Sequence, residues 1–152
     1  MRQLAIIVGL IVFLDQLTKF VVSYYMEIGQ SITVISNFFY ITYLRNPGAA
    51  FGMLPYQTPF FVGVTIIVAA LILYYYRMLS ENHRWLRLGL SLQLGGALGN
   101  LIDRVLEGYV IDFLDFSVWP AVFNLADAAI VIGIVFFLIA FWRDIDLIAE
   151  RS

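Results

Sequence analysis

Four long apolar segments with few polar interruptions dominate the pattern of hydrophobic and polar positions along this chain. They cover about residues 4–25, 59–76, 86–106 and 123–142. A helix that crosses a bilayer needs roughly 20 apolar residues, and each segment is close to that length. The pattern therefore predicts an all-α membrane protein, in which four transmembrane helices form a single integral membrane domain over residues 1–152.

The two segments between these helices on the side opposite the termini, called outer here, differ from simple connections. In about 28–56, apolar positions such as Ile32, Val34 and Phe38 partly alternate with polar ones, which is typical of strands. We therefore expect two or three short strands that form a small extracytoplasmic β-sheet. About 107–122 is predicted to be a second outer loop.

Composition supports a lipid environment. Hydrophobic residues make up 62% of the 152 residues, charged residues 13%, and the mean hydropathy is +0.88. Soluble domains usually carry about 25% charged residues. The net charge of −2 and the lack of long basic runs argue against a nucleic-acid partner. Because the chain has no cysteine, thiolate nucleophiles and Cys-based metal sites are excluded.

The distribution of arginine predicts the orientation in the membrane. Cytoplasmic segments of membrane proteins carry an excess of Lys and Arg. The outer segments hold only Arg45 and Arg104. The other arginines lie at the opposite end of the predicted helices: Arg2, Arg77, Arg84, Arg87, Arg143 and Arg151. We therefore expect both termini to be cytoplasmic.

Charged residues within the predicted spans are the first candidates for function, since burying a charge in lipid is costly. Asp15 and Lys19 stand four residues apart on one helix face, where they can also act as a self-neutralising pair. On the third helix, Asn100, Asp103 and Arg104 lie close together. A helix-end ion pair between Asp103 and Arg104 is the structural alternative to catalysis.

On the fourth helix, Asn124 is predicted to be the N-cap, with Asp127 at the third helical position. Asp127 would then be a capping carboxylate that the helix dipole favours.

The depth of the aspartates in the membrane indicates a second role. At about 1.5 Å per residue, Asp15, Asp103 and Asp127 each lie roughly 20–24 Å from the arginine at the cytoplasmic end of their helix. In a core about 30 Å thick they share the outer third, with Asp112 near the boundary. This convergence predicts a shared polar site.

The residue types limit the chemistry of that site. A serine beside a base, a cysteine or a spanning histidine is missing, so a nucleophilic triad has little support. Asp103, Asp112 and Asp127 have the oxygens to bind a hard cation, but the nearby Arg104 argues against a metal site. Two close carboxylates that share one proton can instead hydrolyse a peptide bond without a cofactor. The spacing does not decide which two aspartates form the pair.

Two other classes of protein fit the composition. Intramembrane Asp, Asn and Arg also line proton-coupled transporters. Against transport, four spans are few, the two halves show no repeat, and the carboxylates cluster near one face. A membrane assembly or chaperone protein is a further alternative, but it leaves the carboxylates at one depth unexplained.

Five motifs, read in order, resemble those of lipoprotein signal peptidases (signal peptidase II). They are DQLTK at 15–19, RNPGAAFG at 45–52, GGALGNLIDR at 95–104, VIDF at 110–113 and FNLADA at 123–128. Each motif alone is weak, but the ordered set spans most of the chain. The resemblance implies an aspartyl endopeptidase of the bacterial cytoplasmic membrane, with its active site facing outward. Its substrates would be prolipoproteins whose cysteine carries a diacylglyceryl group, cut just before that cysteine.

The resemblance also implies roles for individual residues. The family's catalytic aspartates match Asp112 and Asp127. Five residues match the shell that contacts substrate and inhibitor: Asn46, Gly48, Asn100, Arg104 and Asn124. Three would support the site: Asp15, Lys19 and Asp103. We further expect no metal or cofactor, sensitivity to the cyclic peptide globomycin, contact with membrane lipids, and a monomer. The outer sheet and the 107–122 loop would clamp the lipidated segment, with Phe51 or Trp119 as an apolar lid.

Overall fold

The structure is a computed structural model that describes residues 1–48 and 55–149, and only the backbone for 144–149. Within these residues the chain forms four helices: α1 (Arg2–Tyr25), α2 (Thr58–Met78), α3 (Arg84–Leu106) and α4 (Leu125–Ala149). It also forms three strands: β1 (Ser31–Ile35), β2 (Phe39–Asn46) and β3 (Val110–Phe116). Each predicted apolar segment corresponds to one helix.

Three helices in the described part of the chain are long and apolar enough to cross a membrane. They are α1, α2 and the Leu125–Arg143 part of α4. Many of their apolar side chains, such as Phe13 and Ile67, are exposed on the protein surface, as helices facing lipid require. The chain is therefore mostly helical with several apolar helices. α3 carries more polar residues, and its role as a fourth span stays a prediction.

α3 lies at the centre of the helix bundle. It packs most extensively on α4 and also contacts α1 and α2. Glycines allow the close approach of α3 and α4: a Cβ added at Gly89 would lie 2.7 Å from the Gly133 oxygen, and one at Gly133 would lie 2.6 Å from the Gly89 oxygen. Small residues at helix interfaces are typical of packing in lipid. The side chains of α3 are thus brought next to the other three helices.

The strands form one antiparallel sheet in the order β1-β2-β3. The predicted small sheet is confirmed, but its composition differs from the expectation. The segment 28–56 supplies two strands among its described residues, and the third strand, β3, comes from the 107–122 segment that was predicted to be a loop. Val110 to Phe113 are all buried. Because both faces of this part of β3 are covered, the sequence lacks the alternation that identifies a half-exposed strand.

A cluster of buried apolar side chains attaches the sheet to the end of α1. Val22 and Met26 of α1 pack against Tyr43 of β2 and against Ile111 and Phe113 of β3. Alternate residues of a strand point to opposite faces, so the residue between Ile111 and Phe113 points away from this cluster. That residue is Asp112, and the fold directs it toward the helices.

Candidate active site

A single buried lysine connects three polar residues of α1 and α3. Lys19 Nζ lies 2.8 Å from Asp15 Oδ2, 2.7 Å from Asp103 Oδ2 and 3.0 Å from Asn100 Oδ1. Its side chain is 2% exposed and that of Asp15 is 0% exposed. An ammonium group has three hydrogens, so all three are used. The predicted pair of Asp15 and Lys19 is confirmed, and it extends to the third helix.

The ion-pair partner of Asp103 differs from the one that the sequence predicted. The expected ion pair between Asp103 and Arg104 is wrong, because the Asp103 carboxylate pairs with Lys19. It also accepts hydrogen bonds from Gln16 Nε2 at 2.7 Å and from the backbone N–H of Ile111 at 3.2 Å. Neighbouring residues on a helix point about 100° apart, which separates Asp103 from Arg104. Asp103 thereby connects α1, α3 and the start of β3.

The start of α4 is tied to the same network. Asp127 N donates to Asn124 Oδ1 at 2.9 Å, and Asn124 N donates to Asp127 Oδ2 at 3.3 Å. These reciprocal bonds are a capping box, so the prediction for Asn124 and Asp127 is confirmed. Ala126 N also donates to Asp15 Oδ1 at 2.9 Å, which fixes this helix start against α1.

Two asparagines link the two aspartates that the family motifs single out. Asn100 Nδ2 donates to Asp127 Oδ1 at 2.7 Å, and Asn124 Nδ2 donates to Asp112 Oδ1 at 2.7 Å. Asn124 Nδ2 also lies 3.2 Å from Asn100 Oδ1, which joins the two amides. Both amides have a fixed orientation, because Asn100 Oδ1 accepts from Lys19 and Asn124 Oδ1 accepts from the Asp127 backbone. Each therefore presents its N–H groups to a carboxylate.

Asp112 lies on β3, 4% exposed, and accepts a second hydrogen bond from Asn46 Nδ2 at 3.0 Å. Burial raises the pKa of Asp112 to about 7, because a desolvated carboxylate is costly to ionise. The hydrogen bonds from Asn46 and Asn124 oppose this rise, and the charge of Asp127 adds to it. Near neutral pH, Asp112 is therefore close to half protonated.

Arg104 is a cation that interacts electrostatically with both aspartates. Its Nη2 lies 3.3 Å from the backbone carbonyl oxygen of Gly48, and its Nη1 lies 3.4 Å from the backbone carbonyl oxygen of Asn100. Its guanidinium stands 5.2 Å from the ring centre of Phe61 on α2. Gly48 in turn donates its backbone N–H to Asn46 Oδ1 at 3.0 Å. The end of β2 is thus linked both to Asp112 and to Arg104.

The ten residues that the resemblance selects form one continuous network of hydrogen bonds and ion pairs, which we call the carboxylate network. Its members are Asp15, Lys19, Asn46, Gly48, Asn100, Asp103, Arg104, Asp112, Asn124 and Asp127. Sequence reasoning missed Gln16, whose Nε2 also donates to the Gly99 oxygen at 3.1 Å. A polar amide inside an apolar span was the signal that could have identified it.

Of the two residues proposed as an apolar lid, the structure describes only Trp119. Phe51 lies outside the described residues. Trp119 follows β3, is 55% exposed, and donates its backbone N–H to the Phe116 oxygen at 2.8 Å. Its ring is therefore available on the surface beside the sheet.

A comparison with known families decides which class of protein has this arrangement. The family model described as signal peptidase (SPase) II matches residues 7–143. The chain belongs to the signal peptidase II family. This family is one of peptidases, so transport is not needed to explain the intramembrane charges. The matched range contains all ten residues of the carboxylate network.

Individual members of this signal peptidase II family are similar over most of their length. The lipoprotein signal peptidase of Moorella thermoacetica is 54% identical over 126 residues, which is 83% of each chain. That of Caldanaerobacter subterraneus is 50% identical, over 86% of this chain and 89% of the relative. That of Pelotomaculum thermopropionicum is 48% identical, over 98% and 97%.

Two solved structures, each described as a bacterial membrane enzyme, have the same fold. One has a TM-score of 0.90 at 37% identity, over 95% of this chain and 90% of the solved chain. The other has a TM-score of 0.86 at 37% identity, over 95% of both chains. Together with the apolar helices, these similarities identify a multi-pass membrane protein.

Proposed function

We propose that this family member is an aspartyl endopeptidase in which Asp112 and Asp127 form the catalytic pair. The observation that supports the pair is the arrangement of Asn100 and Asn124. Each asparagine donates to one of the two carboxylates at 2.7 Å, and the asparagines contact each other at 3.2 Å. The two aspartates come from different elements, β3 and α4, yet share one set of amide donors.

The proposed chemistry uses one proton between two carboxylates. The ionised carboxylate takes a proton from water as the water attacks the scissile carbonyl, and the protonated carboxylate donates to the substrate. A pKa of about 7 for Asp112 supports this role, because its carboxyl group can then both hold and release a proton near neutral pH. The pair titrates as a unit, so neither aspartate is assigned the acid or the base role.

The remaining residues of the carboxylate network hold the pair in position. Lys19 forms ion pairs with Asp15 and Asp103 and orients Asn100, while Asn46 holds Asp112 from the end of β2. Arg104 places a positive charge where the tetrahedral intermediate would develop an oxyanion. We assign Asn46, Gly48, Asn100, Arg104 and Asn124 to contacts with substrate.

The proposed substrate is a prolipoprotein with a diacylglyceryl group on its cysteine, cut on the N-terminal side of that cysteine. The relatives are lipoprotein signal peptidases, and lipid modification of the substrate follows from the motif resemblance. Exposed apolar side chains of β1, Ile32 and Val34, offer a surface to the lipidated segment. Phe51 or the exposed Trp119, which follows β3, is proposed as an apolar lid.

The proposed site works at the outer boundary of the bacterial cytoplasmic membrane. α3 would be the fourth span, since it packs against all three apolar helices. The arginine distribution supports a cytoplasmic location for both termini. We propose that the enzyme acts as a monomer in contact with membrane lipids and that globomycin inhibits it.

The experiment that tests this function compares two synthetic peptides with one sequence. One carries a diacylglyceryl group on the cysteine and the other a free cysteine. Purified protein in detergent should cleave the lipidated peptide just before the cysteine, as mass spectrometry of the products would show, and globomycin should inhibit it. Equal cleavage of both peptides, or cleavage at another bond, would contradict the proposed specificity.

A further inference from the structure

α1 and α2 both pack on α3, and they leave an apolar groove between them. The groove has a volume of about 500 Å³, which is within the range of small-molecule sites, roughly 300–1,000 Å³. Its walls and floor are aliphatic: Leu4, Ala5, Val8, Ala69, Leu73, Leu94 and Leu98. The groove follows the first half of α1. The residues that line the groove are all different from those of the carboxylate network, so the groove is a separate site.

A polar pocket of about 530 Å³ adjoins this groove at the start of α1. Three arginines line it, Arg2, Arg84 and Arg87, together with one acidic residue, Glu81. Arg2 also lines the apolar groove, so the two cavities meet at this side chain. The pocket therefore has a net positive charge and opens directly onto an aliphatic groove.

Arg87 is fixed in place before any ligand binds. Its Nη1 donates to the Leu79 oxygen at 3.1 Å, and its guanidinium stands 4.4 Å from the ring centre of Tyr76. A guanidinium has five N–H donors, and this bond uses one of them. A held arginine binds an anion with little loss of side-chain entropy.

We propose that the groove and pocket together bind one anionic phospholipid. Its phosphate would contact Arg2, Arg84 and Arg87, and one acyl chain would lie in the groove between α1 and α2. Basic pockets between transmembrane helices are suited to anionic headgroups. The positive charge of the pocket argues against a signal peptide as the occupant of the groove. Signal peptides carry a positive N-terminal region, which the arginines would repel.

The test uses the full chain purified in neutral detergent and titrated with dioleoyl phosphatidylglycerol or with dioleoyl phosphatidylcholine. Native mass spectrometry measures the bound fraction, and thermal unfolding measures stabilisation. We expect tighter binding and a higher melting temperature with the anionic lipid. Each arginine should contribute about fivefold, so R2Q/R84Q should bind it about 25-fold more weakly. Both residues are exposed at helix starts, so the variant should fold.

Two further variants separate headgroup from chain. R77Q/R143Q removes the same charge from exposed arginines outside the pocket and should bind like the parent. Ala69→Trp fills the groove and should weaken lipid binding while leaving the arginines intact. Equal affinity for both lipids, equal weakening in R77Q/R143Q, or unchanged binding by Ala69→Trp would overturn the proposal. If inorganic phosphate alone stabilised the protein as much as the anionic lipid does, the pocket would be a site for a free anion. That result would overturn the proposed lipid site.

Discussion

Asn124 Nδ2 lies 2.7 Å from Asp112 Oδ1, and this hydrogen bond joins the residue before α4 to the middle of β3. The same amide accepts the Asp127 N–H through its oxygen. One side chain thus caps a helix and positions both aspartates of the proposed pair. Rotating the amide by half a turn would lose both bonds, so its orientation is strongly determined.

Substitutions at Asn124 should separate these two roles. Asn124→Ser keeps an oxygen that can cap α4 but removes the donor to Asp112, whereas Asn124→Ala removes both. We expect each variant to lose about 10- to 100-fold in cleavage rate, because a buried charged acceptor loses its partner at a cost of about 1–3 kcal/mol. Only the alanine variant should lose the additional cap, about 1 kcal/mol in unfolding free energy. Cleavage assays and thermal unfolding check the two expectations.

Gly96 tests whether the close approach of α3 and α4 sets the site geometry. A Cβ at Gly96 would overlap the Ala126 oxygen and lie 2.7 Å from Ile130 Cγ1. Gly96→Ala should push the helices apart and reduce both stability and cleavage. Gly63→Ala is the matched control, because a Cβ there meets no atom within 4 Å. It should be neutral or stabilise by about 0.5–1 kcal/mol. Equal behaviour of the two variants would contradict this account.

Lys19 should contribute strongly to stability, although it does not contact the proposed pair. Lys19→Met leaves the buried carboxylates of Asp15 and Asp103 without their cation, and breaking a buried pair costs about 3–5 kcal/mol. The melting temperature in detergent should therefore fall strongly. Adding Asp103→Asn should recover part of the loss. Arg77→Met removes an exposed charge and should change little; a similar fall in that variant would rule out the specific ion network.

The pKa of Asp112 predicts how stability and activity depend on pH. Folding raises this pKa from 3.8 to about 7, so the folded chain binds more protons than the unfolded chain between these values. Stability should therefore fall as pH rises through this window. Above about pH 7 Asp112 loses its proton, and cleavage should decline.

Asn46 provides the variant that tests this assignment. Its hydrogen bond lowers the pKa of Asp112, so Asn46→Ala should move the alkaline decline in cleavage to higher pH. Asn82→Ala, in the α2–α3 connection, should leave the pH profile unchanged. If the alkaline decline in cleavage did not move in Asn46→Ala, that decline would not report the ionisation of Asp112.

Local sequence signals were sufficient for the helices and for the cap of α4. Four apolar runs predicted α1 to α4, because each helix satisfies its own backbone hydrogen bonds. The spacing of Asn124 and Asp127 predicted the capping box, since its partners lie three residues apart. The order of the motifs selected residues that fold into one network, although depth arithmetic alone did not separate Asp112 from Asp103.

Contacts between distant segments could not be predicted in this way. β3 pairs with β2 across more than 60 residues, as Arg45 with Ile111, and its buried start gives no alternating pattern. Asp103 was assigned to the wrong partner: its neighbour Arg104 points about 100° away on the same helix, and the rotation of α3 relative to α1 decides that Lys19 faces it. The role of Gln16 depends on that same rotation.

The most direct measurement is the cleavage rate of a diacylated lipobox peptide by three isosteric variants. Asp112→Asn and Asp127→Asn should each lose about 10²–10⁴-fold, with or without a metal chelator. Asp115→Asn is the matched control, since Asp115 also lies on β3 but accepts its hydrogen bond from Thr42 Oγ1 at 2.7 Å. It should cleave close to the parent rate. Retained cleavage by the folded Asp112 or Asp127 variant would remove that residue from the catalytic pair.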